Sequence, residues 1–131
     1  MEIFSLESLL GKKVENIEIF LDKDYPNQHN VLEKIVFYLD NKALSIEPII
    51  NNDEIKISIY NAKKEVLQDN ELHILSKFIG THLNYTWNCI NTKGYFDIFL
   101  MSFHNLRPSL MILSEGSGLK LFFLDTNIPL F

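Results

Sequence analysis

The chain has a single cysteine, Cys89, a single arginine, Arg107, and alanine only at positions 43 and 62. One cysteine excludes an intramolecular disulfide and a cysteine-based zinc site. One arginine leaves a single place for bidentate recognition of phosphate or carboxylate. The remaining basic residues are lysines, and the formal charge is −5. Non-specific binding to nucleic acid needs clustered lysine and arginine, so that class is not expected. No window reaches the ~20 apolar residues of a membrane helix. The segment Met1–Glu7 has neither the basic start nor the long apolar core of a signal peptide. The expectation is a soluble, cytoplasmic protein with no cofactor and no membrane partner.

What is present is ordinary globular material. Of the 131 residues, 47% are hydrophobic and 22% charged, enough for one domain over residues 1–131 and too few for two. Ser5 followed by Leu6, Leu9, Leu10 and then Gly11 predicts a short capped helix ended by glycine. Asp69 as N-cap, with Leu72, Leu75, Phe78 and Ile79 at helical spacing before Gly80, predicts a second.

Elsewhere the period is two. Ile17, Ile19 and Leu21 alternate with polar residues, as do Ile55, Ile57 and Ile59, and each run reads as a half-buried strand. Val31 to Leu39 places Val31, Ile35, Phe37 and Leu39 on one face. Leu44 and Ile46 follow a tight Asp40-Asn41 turn, and Pro48 marks the edge or end of that strand. Leu83, Tyr85, Trp87 and Cys89 fall on one side of a later strand. Asn91-Thr92-Lys93-Gly94 has the form of a hairpin loop. Tyr95 to Phe103 is apolar on both faces except for Asp97 and Ser102, which suggests a central strand covered on both sides. A second subunit over this apolar half is the rival reading. Pro108 to Leu113 and Leu119 to Leu124 complete the set, joined by Ser114-Glu115-Gly116-Ser117-Gly118.

The two halves lie over each other as pseudo-repeats 4–60 and 69–124, helix then four strands, twice. Leu9-Leu10-Gly11-Lys12-Lys13-Val14 falls on Phe78-Ile79-Gly80-Thr81-His82-Leu83. The order predicts an α+β fold: an antiparallel meander sheet with two short helices on one face.

Candidate chemistry is sparse. Asp97 is a lone carboxylate in an apolar strand, so it must be hydrogen-bonded, paired or set in a cleft. With Trp87 and Tyr95 it forms the candidate ligand site. The competing reading makes Asp97 an acceptor for the Asn91–Gly94 turn, for a tyrosine hydroxyl or for Lys93. His29, His73, His82 and His104 show no metal-ligand spacing, so no metal is expected. His82, Cys89 and His104 approach one another only if their strands pair. The Ser114–Gly118 run matches no phosphate loop and no nucleophile elbow. Glu7, Glu15, Glu18, Asp22 and Asp24 give the first third an acidic bias that suits a basic partner.

At Trp87, Asn91, Gly94, Tyr95 and Asp97 the second half resembles small bacterial domains, some of them immunity proteins of polymorphic toxin systems. That resemblance carries no catalytic residue across. It implies a cytoplasmic, non-enzymatic protein that neutralises a toxin by binding it. Exposed aromatics such as Tyr25 or Tyr60 with acidic neighbours would then serve a basic toxin domain. A small-ligand or enzymatic pocket and a homodimer remain the alternatives.

Overall fold

In the computed structural model, described over residues 5–28, 30–62 and 73–124, the chain is nearly all antiparallel sheet. Eight strands follow in order: β1 Val14–Leu21, β2 Val31–Leu39, β3 Lys42–Ile49, β4 Glu54–Asn61, β5 Leu83–Ile90, β6 Phe96–Phe103, β7 Leu110–Glu115 and β8 Gly118–Phe123. The sheet order is β4-β3-β2-β8-β7-β6-β5, with β1 on the other edge of β2. The result is a curled half-barrel, not the α+β arrangement expected from the sequence.

The first predicted helix is a single 3-10 turn over Leu6–Leu9. Of the second, Asp69 and Leu72 lie outside the described residues, and Ser76–Phe78 form another 3-10 turn. The apolar spacing that suggested helices serves instead to drive Leu9, Leu75 and Phe78 into the core from one tight turn each. Two apolar residues three apart fit a 3-10 turn as well as an α-helix, because i and i+3 eclipse there.

Both turns end on a glycine with positive φ, Gly11 at +86° and Gly80 at +91°. These glycines aim the chain into a joint between the halves. Gly11 N donates to Leu83 O (2.6 Å), and Gly80 N donates to Val14 O (2.7 Å). Val14 N donates to Thr81 O (2.7 Å), and Leu83 N to Lys12 O (3.0 Å). Exchanging Gly11 with Gly80, Lys12 with Thr81, and Val14 with Leu83 maps this set of bonds onto itself. The joint is therefore two-fold, and the axis passes between Lys13 and His82, which face each other as an antiparallel bridge.

The correspondence continues into the strands. In β1 the register steps from Val14↔Leu39 to Asn16↔Tyr38, so Glu15 is an extra residue. In β5 it steps from Leu83↔Phe103 to Tyr85↔Ser102, leaving Asn84 extra. At the far end of the same hairpins, Glu33 is bulged between Phe20↔Lys34 and Leu21↔Leu32. Asp97 is bulged between Cys89↔Ile98 and Ile90↔Phe96. Bulges set where a strand bends, and each half bends at the same two places. Element order is thus one 3-10 turn followed by four strands, twice.

One core lies within the half-barrel. Ile35, Phe37 and Leu39 of β2 are buried, as are their counterparts Phe99, Met101 and Phe103 of β6. Leu44 and Ile46 correspond to Leu110 and Ile112, all fully buried. Phe103 stacks on Phe37 (6.0 Å between centroids) and on Phe78 (4.3 Å), so its ring joins both halves. Each such side chain contributes about 2–3 kcal/mol by leaving water.

The halves differ at their outer corners. β2 continues past β3 and pairs with β8 through Val31↔Lys120 and Leu32↔Leu119. At the matching corner, Glu54 Oε2 accepts a hydrogen bond from Phe96 N (3.3 Å), and Asp53 Oδ1 accepts one from Gly116 N (3.0 Å). One corner is closed by backbone ladder, the other by carboxylates.

Candidate functional site

The extra residue Asn84 decides what β5 shows to solvent. Leu83 points into the core with no exposure, but past the bulge the inward and outward positions exchange. Tyr85, Trp87 and Cys89, expected on the same face as Leu83, point outward, and Tyr85 is 45% exposed. β6 has one sealed face, with Phe99 and Met101 buried, and one outward face carrying Ile98 and Leu100, both half-buried. Cover on both faces was the expectation; only the inner face has it.

The register then builds two outward rungs across β5–β8, the half of the continuous eight-stranded sheet here called the second sheet, β1–β4 being the first. Trp87 pairs with Leu100, Leu100 with Met111, and Met111 with Phe122. Cys89 pairs with Ile98, Ile98 with Leu113, and Leu113 with Lys120. Phe122 is 42% exposed, and the Tyr85 ring lies 6.1 Å from that of Trp87. The only charge on the two rungs is Lys120, whose ammonium is paired with Glu115. Periodicity alone shows that these residues are apolar. Which face they occupy depends on a bulge that has no sequence marker.

The expected ligand residues are placed separately. Tyr95 sits in the β5–β6 loop, where its N–H donates to Asn91 Oδ1 (3.1 Å). Asn91 also accepts from Lys93 N (2.9 Å), and its Nδ2 donates to Asp97 Oδ2 (3.2 Å). Asp97 therefore holds the turn that precedes it. Its counterpart does similar work: Glu33, at the equivalent bulge of β2, accepts a bond from Lys23 N in the β1–β2 loop (3.4 Å). A carboxylate stands at this bulge in both halves, and each reaches back to its own hairpin loop. Trp87 belongs instead to the outward rung.

His82 and His104 do meet, with ring centroids 5.8 Å apart and His104 N donating to His82 O (3.3 Å). Cys89 lies seven residues along the strand from His82, about 23 Å at strand rise. Among the described residues no group of three His, Cys, Asp or Glu side chains is placed to hold a metal ion. The Ser114–Gly118 run is a two-residue hairpin turn, with Gly116 and Ser117 at φ +62° and +63°, the geometry of a type I′ turn.

The equivalent face of the first sheet has different chemistry. Its rung reads Glu18, Val36, Ser45, Ser58 where the second reads Trp87, Leu100, Met111, Phe122. Val36 and Ser45 are each only 2% exposed. Tyr38 donates its hydroxyl to Glu18 (2.8 Å), and burial first, then that bond, pushes its phenol above the usual tyrosine range. The first rung is polar at three of its four positions and the second at none, so the sheet itself does not demand an apolar outer row.

Residues 1–127 match a family of unknown function, DUF6334. The chain belongs to that family. No curated protein and no solved structure matches this DUF6334 chain. No described helix of the DUF6334 chain is long and apolar enough to cross a membrane.

Proposed function

We propose that the chain is a non-enzymatic, cytoplasmic protein-binding domain that works through the outward face of β5–β8. The observation that carries this is the Trp87–Leu100–Met111–Phe122 rung, an apolar row on a surface whose counterpart is polar. Contiguous apolar surface on a soluble domain marks contact with another macromolecule. Trp and Met are also enriched in interfaces relative to the remaining surface. A free thiol at Cys89 suits a reducing compartment. Neutralising a toxin is one form of such binding, and the hairpin resemblance supports it.

A photo-crosslinking residue placed at Met111 tests the reading in cells, with Ser58 on the first sheet as the control position. Protein adducts are expected from Met111 and not from Ser58. Equal, background labelling at both positions overturns it, and the mass of any adduct separates a toxin from another partner.

A further inference from the structure

We infer that the occupant of this face is a second copy of the same chain, packed sheet against sheet. The inference rests on the protein-binding reading and names its partner. Three observations lead to it.

The first is the internal comparison. Glu18, Ser45 and Ser58 correspond in register to Trp87, Met111 and Phe122. The next rung repeats the contrast. Phe20 pairs with Lys34, and Glu47 pairs with Lys56, where the second sheet has Cys89–Ile98 and Leu113–Lys120. Folding accounts for the inner residues of both halves equally, but not for outward rungs that are apolar at seven of eight positions in one half and at only two, Val36 and Phe20, in the other.

The second is charge. The chain carries −5, so two copies repel unless they meet where charge is absent. The two rungs provide such a place, since Lys120 is neutralised by Glu115 within its own chain. A basic partner would be selected by carboxylates, which these rungs do not present. A neutral, apolar face finds its match in another neutral, apolar face, and this chain's own second sheet is one.

The third is shape. Antiparallel sheets stack face to face about 10 Å apart with strands nearly aligned. Two copies of one patch meet about a two-fold axis. An axis running along the strands between β6 and β7 sets Trp87 of one copy over Phe122 of the other, and Leu100 over Met111. Four strands about 4.8 Å apart and two or three outward rungs about 7 Å apart give on the order of 300 Å² per copy. That is small beside stable interfaces, so the dimer is weak and concentration-dependent.

Sedimentation velocity of the full chain from about 10 μM to about 1 mM tests it. Wild type is expected to shift from monomer toward dimer across that range, by reversible mass action. The double variant M111S/F122S installs the side chains that the first sheet carries at the same positions, so the architecture tolerates them. It is expected to stay monomeric with a circular dichroism spectrum like that of wild type. S58A, on the first sheet, is expected to dimerise as wild type does. A wild-type chain that remains monomeric at about 1 mM overturns the inference. So does a folded double variant that dimerises unchanged. Should M111S/F122S fail to fold, Phe122→Lys alone at the exposed end of the rung decides the same question. A monomeric wild type that still gives crosslinks to a different protein from position 111 removes the second copy while leaving the binding reading intact.

Discussion

At the scale of single residues, Asp97 is understood through Glu33. A lone carboxylate in an apolar strand invites a functional reading, because an unpaired buried charge is costly. Here the strand bulges at Asp97, the carboxylate reaches Asn91, and Asn91 ties Lys93 and Tyr95 into the loop. Asn91 holds more of the turn than Asp97 does. Asn91→Ala is therefore expected to lower stability by about 1–2 kcal/mol, since it leaves two backbone donors without their acceptor. Asp97→Asn removes the charge from one solvent-exposed bond and is expected to cost under about 1 kcal/mol. Urea titration of both variants checks the order. A larger loss for Asp97→Asn would show that its carboxylate has another partner.

The turn residues were legible in the sequence for a local reason. Asp40 and Asn41 sit at φ +48° and +64°, where short polar side chains substitute for glycine. Trp87 was less legible. Its alternation with Leu83, Tyr85 and Cys89 reads as one face, and the flip comes from a register step at Asn84 that only the paired strand reveals.

At the scale of elements, the two 3-10 turns and their glycines act as a pair. A Cβ at Gly11 or Gly80 would meet nothing within 4 Å, so substitution there is opposed by backbone conformation alone. Gly11→Ala and Gly80→Ala are each expected to cost roughly 1–2 kcal/mol, and to cost about the same, because the joint is two-fold. Thermal or urea melts of the two variants check this. Unequal losses would mean that one half relies on the joint more than the other.

The strands were readable from their period of two, and the helices were not. Leu6, Leu9 and Leu10 satisfy a helical template, but the structure uses only a 3-10 turn before Gly11 redirects the chain into the joint. A pattern of two turns is too short to separate α from 3-10, and a helix that short is not stable without packing. The docking partner decides the outcome, and here it is a β-joint that the sequence does not announce.

At the scale of the whole molecule, the core belongs to neither half. Phe103 stacks on Phe37, and Phe78 stacks on Phe103, so truncating either half's large residues opens the same interior. Phe37→Ala and Phe99→Ala are each expected to destabilise by about 3–5 kcal/mol. Both should leave a single unfolding transition, seen alike by fluorescence of Trp87 and by circular dichroism. Two separated transitions would show that the halves are independent units.

The two-fold joint has a kinetic consequence as well. Within each half every strand pairs with its sequence neighbour, and such local hairpins close quickly. Lys13 and His82, by contrast, must meet across most of the first half and the segment that follows it. Closing so long a loop is opposed by chain entropy until other contacts reward it. The joint therefore forms late, after the meanders, and contacts made late are those whose loss speeds unfolding rather than slows folding. Alanine at Gly11 or Gly80 should accordingly leave the refolding rate nearly unchanged and shorten the lifetime of the native state.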